Sequence, residues 1–419
     1  MTVNTIQLSG NAEENRSLLQ KALDRKGMIR VAGKGTYDVA GTLLISGDTT
    51  LEFEPGVILN RVDGKGLHFI ANRAAYDASA EPDRNIEIRN LHFNVNGSDV
   101  TLPYAPGWRG QVMLMHVRDL KIFNFRCVDL AARGYGVLIS SFERVLIDGV
   151  HIEGEKDGVH FGPGKDFILR NGVFRTWDDP VALNAYDYYS SSPEYGWIEN
   201  GLIENCVELP ALPGTVMYGF FCRLLGGAWG EWYSGMTVQR SDLVVSNGKT
   251  YCCGLEAGDV RKSTVAPSHE KGIVEAGGIP WKRVDNAVTR NAGCRNITFR
   301  NIRLEKNRPA AAGMIFDWNR HGRSVYPGTT ALPVFENIVF ENITIRAKID
   351  SFLDLSVPCR NLEIRNSDLN NAAITAKSAH GVPLESYGNA PVEINVSGLK
   401  QKDVPLRGNR AGNVRLITR

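Results

Sequence analysis

The chain has 419 residues, 43% of them apolar, and a formal net charge of +2 from 48 basic and 46 acidic side chains. That apolar fraction supports a large folded core, while near-neutral, interspersed charge excludes the basic stripe of a nucleic-acid binder. No run of about 18 apolar residues is present to cross a membrane as a helix, so a membrane is not expected as a partner either.

The opening, "MTVNTIQLSGNAEENRSL", lacks a basic segment followed by an apolar one, so no signal peptide is read there. That leaves a cytoplasmic protein, or a secreted or periplasmic one whose leader has been removed. Next, "NAEENRSLLQKALDRKG" sets Leu18, Leu19, Ala22 and Leu23 on one helical face, with Gly27 as its stop. A helix here is expected to cap the open edge of the strands C-terminal to it, the cap spanning residues 1–30.

From residue 31 to about 371 one short pattern recurs: alternating apolar residues, a turn at Asn or Asp, then alternation again. It is seen in "NIEIRNLHF" (85–93), "LKIFNFRCVDL" (120–130), "RVLIDGVHIEG" (144–154) and "DFILRNGVFR" (166–175). It returns in "NITFRNIRLE" (296–305), "VFENIVFENITIRA" (334–347) and "NLEIRNSDL" (361–369). Turn residues Asn124, Asp148 and Asn171 are 24 and 23 apart, and Asn342 and Asn366 repeat the 24. Strands of this length and period are expected to form coils of a parallel β-helix, an all-β solenoid in which only stacking buries the apolar face. Asn at the turns suits left-handed backbone angles, and stacked Asn side chains can bond one another. No linker divides the chain, so a single domain is expected. From about residue 372 to 419 the repeat fades into a tail that packs along the helix or caps its end.

A second strand follows each turn. "GYGVLIS" (134–140), "DGVHFGP" (157–163), "DDPVALN" (178–184), "GFFCRLLGG" (219–227), "CGLEAGD" (253–259) and "AGMIFDW" (312–318) read as equivalents on successive coils. Gly136, Gly158 and Pro180 then align at spacings of 22, each followed by an inward valine. This alignment stacks Asp157 beneath Asp179 about 4.8 Å apart, with Asp178 beside them. Three carboxylates so placed repel, and the pKa of at least one rises. A protonated carboxyl beside ionised ones is what glycoside hydrolysis needs, one protonating the leaving oxygen and another activating water or attacking carbon.

"DGVHF" followed by "DDPVALN" resembles the first two motifs of the polygalacturonase family, glycoside hydrolase family 28, within the pectate-lyase superfamily of right-handed β-helices. The architectural resemblance covers about residues 1 to 370. It implies inversion, with Asp178 as general acid and Asp157 and Asp179 holding the attacking water. The family's Gly-His-Gly motif has no counterpart, since no histidine falls between His160 and His269, and its Arg-Ile-Lys motif is also missing. The scaffold and the acids therefore carry over better than galacturonate specificity.

Several residues are expected to bind substrate around this cluster. His160 and Asn184 lie on the two aligned strands, and Arg223, Glu256 and Asp317 on later ones. A loop at 185–197 supplies Tyr186, Tyr188, Tyr189, Tyr195 and Trp197, and "GGAWGEWYSG" (226–235) supplies Trp229, Glu231 and Trp232. Flat aromatic faces beside acids and amides suit pyranose rings. The expected partner is a polysaccharide or oligosaccharide, uronate-containing chains included, with no metal or cofactor. Two alternatives stand beside hydrolysis. One is a polysaccharide lyase or epimerase in which the acids hold Ca²⁺. The other is a non-catalytic glycan-binding β-helix, as in a virion fibre or adhesin. The seven cysteines, with no CxxC pair, read as free core thiols.

Overall fold

Alternation at period two builds strands, and single Asn, Asp or Gly residues bend them round corners instead of into hairpins. In the computed structural model, Gly110–Leu130 lies parallel to Tyr135–Gly154, which lies parallel to Val159–Phe161 and Gly164–Thr176. The ladder continues through Val181–Asn184, Cys222–Ala228, Arg308–Trp318 and Ile349–Leu355 on one wall. A second wall runs through Ile198–Glu208, Cys294–Leu304, Phe335–Ile345 and Cys359–Arg365. The result is the expected right-handed parallel β-helix with an N-terminal helix. The structure describes residues 3–62, 68–77, 80–98, 108–187, 192, 194–215, 218–256, 258–284, 290–318, 334–376, 392–401 and 403–418.

The core is a set of stacked columns. Val112, Val137, Val159, Val181, Cys222, Met314 and Leu353 face each other in register on successive coils, and all are buried. Each such side chain contributes about 1.5–3 kcal/mol on removal from water. At the corners the expected asparagine ladders form. Asn301 has φ of 54°, donates to Asn205 Oδ1 at 2.8 Å and accepts from Asn342 Nδ2 at 2.6 Å. A parallel ladder runs from Asn361 through Asn337 and Asn296 to Asn200 at 2.7, 2.8 and 2.9 Å.

Helix Ala12–Asp24 starts in a capping box in which Asn11 Oδ1 accepts from the Glu13 and Glu14 amides and Glu14 returns the bond. Leu19, Ala22 and Leu23 are buried as expected, whereas Leu18 is 37% exposed and points to solvent. Strand Val3–Gln7 precedes the helix and pairs parallel with Gly27–Ala32, so the stack begins before residue 30. It also runs past residue 371. Val392–Ser397 pairs with Cys359–Arg365, and Val414–Thr418 pairs with Val392–Ser397.

One departure matters for the site. Between Cys222–Ala228 and Cys294–Leu304 the chain leaves the stack and builds an antiparallel sheet with its own core of Val244, Tyr251, Cys253 and Trp281. "CGLEAGD" belongs to this insertion and is not a coil. Its alternation has the same period of two as a coil strand, which hides the difference in the sequence. The seven cysteines are free and buried.

Candidate active site

The 22-residue coils place Asp157 and Asp179 one above the other. The Gly136 amide donates to the Asp157 carbonyl and the Gly158 amide to the Asp179 carbonyl, both at 2.9 Å. Glycine is required at 158, because a Cβ there would lie 2.5 Å from the Pro180 carbonyl oxygen. Gly219 meets the pair from the next coil, where a Cβ would lie 2.1 Å from the Asp178 carbonyl carbon. One carboxylate oxygen from each of Asp157, Asp178 and Asp179 lies within 4.8 Å of the others. The expected convergence of the three acids is therefore present.

Their surroundings differ. Lys156 Nζ donates to Asp178 and lies 3.4 Å from Asp157 Oδ1. Burial pushes the Asp157 carboxyl up, but the His160 hydrogen bond and the Lys156 charge outweigh it and hold the group below the usual range. For Asp179, burial and then the Asp157 charge push the carboxyl up to about 6, against Arg223, the Phe220 amide and Lys306. That amide donates to Asp179 Oδ1 at 2.8 Å. Two stacked acids are thus driven in opposite directions.

A buried ionic brace supports this turn. Arg308 donates to both oxygens of Glu208 and, through Nε, to the Gly219 carbonyl at 2.8 Å. Lys306 Nζ lies 3.3 Å from Glu208 and donates to the Thr176 carbonyl at 3.0 Å. Thr176 Oγ1 in turn donates to the Asp178 carbonyl at 2.8 Å. Burial brings the Lys306 amine down to about 8 although Glu208 opposes it. The brace grips the strand ends on either side of Asp178 and Asp179.

The remaining expected residues separate into two groups. Arg223 lies on the strand above Ala182 and pairs with Asp317 at 2.9 Å, both side chains partly exposed on the outer face. Asn184 is on the same face and almost wholly buried, and its Oδ1 has no hydrogen-bond partner among the described residues.

The others are corrected. His160 is not at the surface or open to substrate, because Asp187 and the Tyr135 ring cover it completely. Tyr186 and Trp229 are buried in the seam between loop and insertion. The Tyr186 hydroxyl donates to the Ser241 carbonyl at 2.7 Å, and its ring lies 5.0 Å from Tyr195 and 6.0 Å from Trp229. They are packing residues, because two inserted loops need a shared core. Glu231 is exposed and pairs with Arg290, and Glu256 is exposed on the insertion instead of on a groove-lining coil. Tyr188 and Tyr189 lie outside the described residues.

Sequence reasoning missed Lys156, Asp187, Tyr135, Tyr218 and the Glu208–Lys306–Arg308 brace. Lys156 was within reach, since a cation directly before Asp157 in "EKDG" is a visible counter-charge. Tyr218 is 56% exposed and close enough to Asp157 and Asp179 to feel their charge.

No protein-family model matches the chain, and no curated protein sequence matches it. Solved structures do resemble it. The N-terminal fragment of bacteriophage phi29 gene product 12 has a TM-score of 0.53 at 11% identity, covering 97% of this chain and 64% of that one. A family 28 exopolygalacturonase from Yersinia enterocolitica has a TM-score of 0.48 at 14% identity, covering 100% and 78%. PfbA, a surface adhesin of Streptococcus pneumoniae, has 0.47 at 10% identity, covering 100% and 92%. With the phage fragment, the likeness is one of fold.

Proposed function

We propose that the chain is a glycoside hydrolase acting on a poly- or oligosaccharide, with Asp157, Asp178 and Asp179 as its acid–base centre. The observation that carries this reading is the convergence of three carboxylates within 4.8 Å of one another on stacked coils, with Asp179 pushed up and Asp157 held down. Glycosidic cleavage needs a carboxyl that can hold a proton beside one that stays ionised. Asp178 is the least buried of the three and meets the leaving-group oxygen, as the family 28 resemblance implies. Ionised Asp157 draws a proton from the attacking water. The proton stored on Asp179 is relayed to Asp178, displacing its Lys156 contact, and from there to the leaving-group oxygen, so the water's proton restores the cluster. The exposed ring of Tyr218 offers a stacking face for a sugar, and Arg223 and Asp317 offer polar contacts along the same wall.

The resemblance implies inversion, which proton NMR of the first-formed anomer checks. Asp178→Asn is expected to keep fold and glycan binding while losing most reducing-end release. An unchanged rate in that variant sinks the assignment. The Ca²⁺-dependent alternative fits less well. Three carboxylate oxygens would suit a hard cation, but the Lys156 ammonium already lies against Asp178 and Asp157 and balances their charge.

A further inference from the structure

We propose that His160 is a positioning residue, a buried imidazolium strung between Asp157 and Asp187 that fixes the Asp157 carboxylate and keeps it ionised. The inference rests on the reading of Asp157 as the base. His160 Nδ1 lies 2.9 Å from Asp157 Oδ2, and Nε2 lies 2.9 Å from Asp187 Oδ2. A neutral imidazole has one N–H and cannot donate to both carboxylates. A ring bonded at both nitrogens to ionised acids is satisfied only as the cation.

The surroundings suit that state. The Tyr135 ring lies parallel to His160 at 4.2 Å and 8°, offering its π face to the charge. Leu138 and Ala182 flank the histidine on the coils below and above, and both are buried. The charged and titratable groups facing it are Asp157 on its own turn, Asp187 on the loop after Val181–Asn184, and Tyr135. Lys156 lies 5.7 Å from the Tyr135 ring centre, and Asp179 acts on Asp157 from the next coil. Burial alone would discharge the ring, but the Asp187 charge and the two hydrogen bonds raise it to about 9.

The consequence for Asp157 is geometric and electrostatic. With Oδ2 held by His160, the carboxylate cannot rotate, and Oδ1 is left toward Lys156 and the other acids. Because Asp187 follows strand Val181–Asn184, the same histidine ties the end of that strand to the turn that carries the base.

The test uses the full chain labelled with ¹⁵N-histidine and titrated by NMR, with His160 assigned by comparison with His160→Gln. Both ring nitrogens are expected to be protonated at pH 7, and the titration to fall well below pH 9 in Asp187→Asn. A neutral ring at pH 7 in the unsubstituted protein overturns the proposal.

Kinetics give the second arm. In His160→Gln the acidic limb of the kcat profile is expected to move up by about one pH unit, because Asp157 loses the charge holding it ionised. Asp187→Asn keeps the ring and is expected to move the same limb by less. A limb that stays in place in both variants, with activity falling equally at every pH, marks a purely structural histidine and also overturns it. If Asp178→Asn proves as active as the parent, the hydrolase reading fails separately. The ¹³C titration of the Asp157 carboxyl with and without His160 then still decides this inference: a raised pKa in His160→Gln supports it, and an unchanged one refutes it.

Discussion

Two columns of polar side chains run up this molecule, and they are built on different chemistry. At the corners, Asn200, Asn296, Asn337 and Asn361 stack with each amide donating to the one below. On the outer wall, Asp157 and Asp179 stack in the same way, one coil apart. An asparagine both donates and accepts, so its column satisfies itself. A carboxylate only accepts, so the acid column has to recruit Lys156, His160, the Phe220 amide and Arg223. A repeat needs no such column to stand, and its presence separates a site from a turn.

That contrast can be attacked first at the acids. Asp178→Asn is expected to lower kcat by about 10²–10⁴-fold with unchanged circular dichroism, the range for removing a positioned acid or base. The next largest effect falls on the brace. Glu208→Gln leaves Lys306 and Arg308 buried without their partner and is expected to cost about 3–5 kcal/mol in denaturant unfolding. A loss below about 1 kcal/mol would show that the brace is not holding the turn.

The self-satisfying column is expected to respond more mildly. Asn301→Ala loses two exposed hydrogen bonds and the tolerance of Asn for positive φ, for about 1–2 kcal/mol, while Asn301→Gly suits the backbone and costs less. Arg300→Ala, on a surface pair with Glu341, is expected to cost less than about 1 kcal/mol.

A last effect is told by its sign, which identifies the acid column. Asp179 has its folded pKa raised to about 6, so its contribution is fully present below its ordinary value near 3.8 and is lost as pH rises through 6. Relative to the parent, Asp179→Asn is therefore expected to gain thermal stability between pH 4 and pH 7. A difference that is flat across that window would refute the stored proton. Glu208 is held down by Arg308 and Lys306 against burial, so its contribution runs the other way, present above its ordinary value and lost on acidification.

Much of the frame was readable in advance because its period is short. Valines after Gly136, Gly158 and Pro180 fixed the register, and register alone stacked the two acids. What failed was anything that depends on a long excursion. Nothing local distinguishes "CGLEAGD", which leaves an antiparallel strand at Cys253, from a coil strand, so Glu256 was misplaced with it. Tyr186 and Trp229 looked like sugar platforms because aromatics on loops often are. Here two loops pack on each other and consume them. His160 sat on an outward position, and Asp187, returning from the next coil's loop, buries it together with the Tyr135 ring.

The insertion has one more consequence, for how such a protein can change. Cys222 pairs with Val181 below and Met314 above, whatever length of chain lies between them. Closing a loop twice as long costs only about 0.6 kcal/mol more. The register of the wall is therefore indifferent to the length of chain inserted at 229–284, though not to the loop after Asn184, which supplies Asp187 to His160. Two coils can thus stay in register while the stretch of chain between them grows into a small sheet of its own.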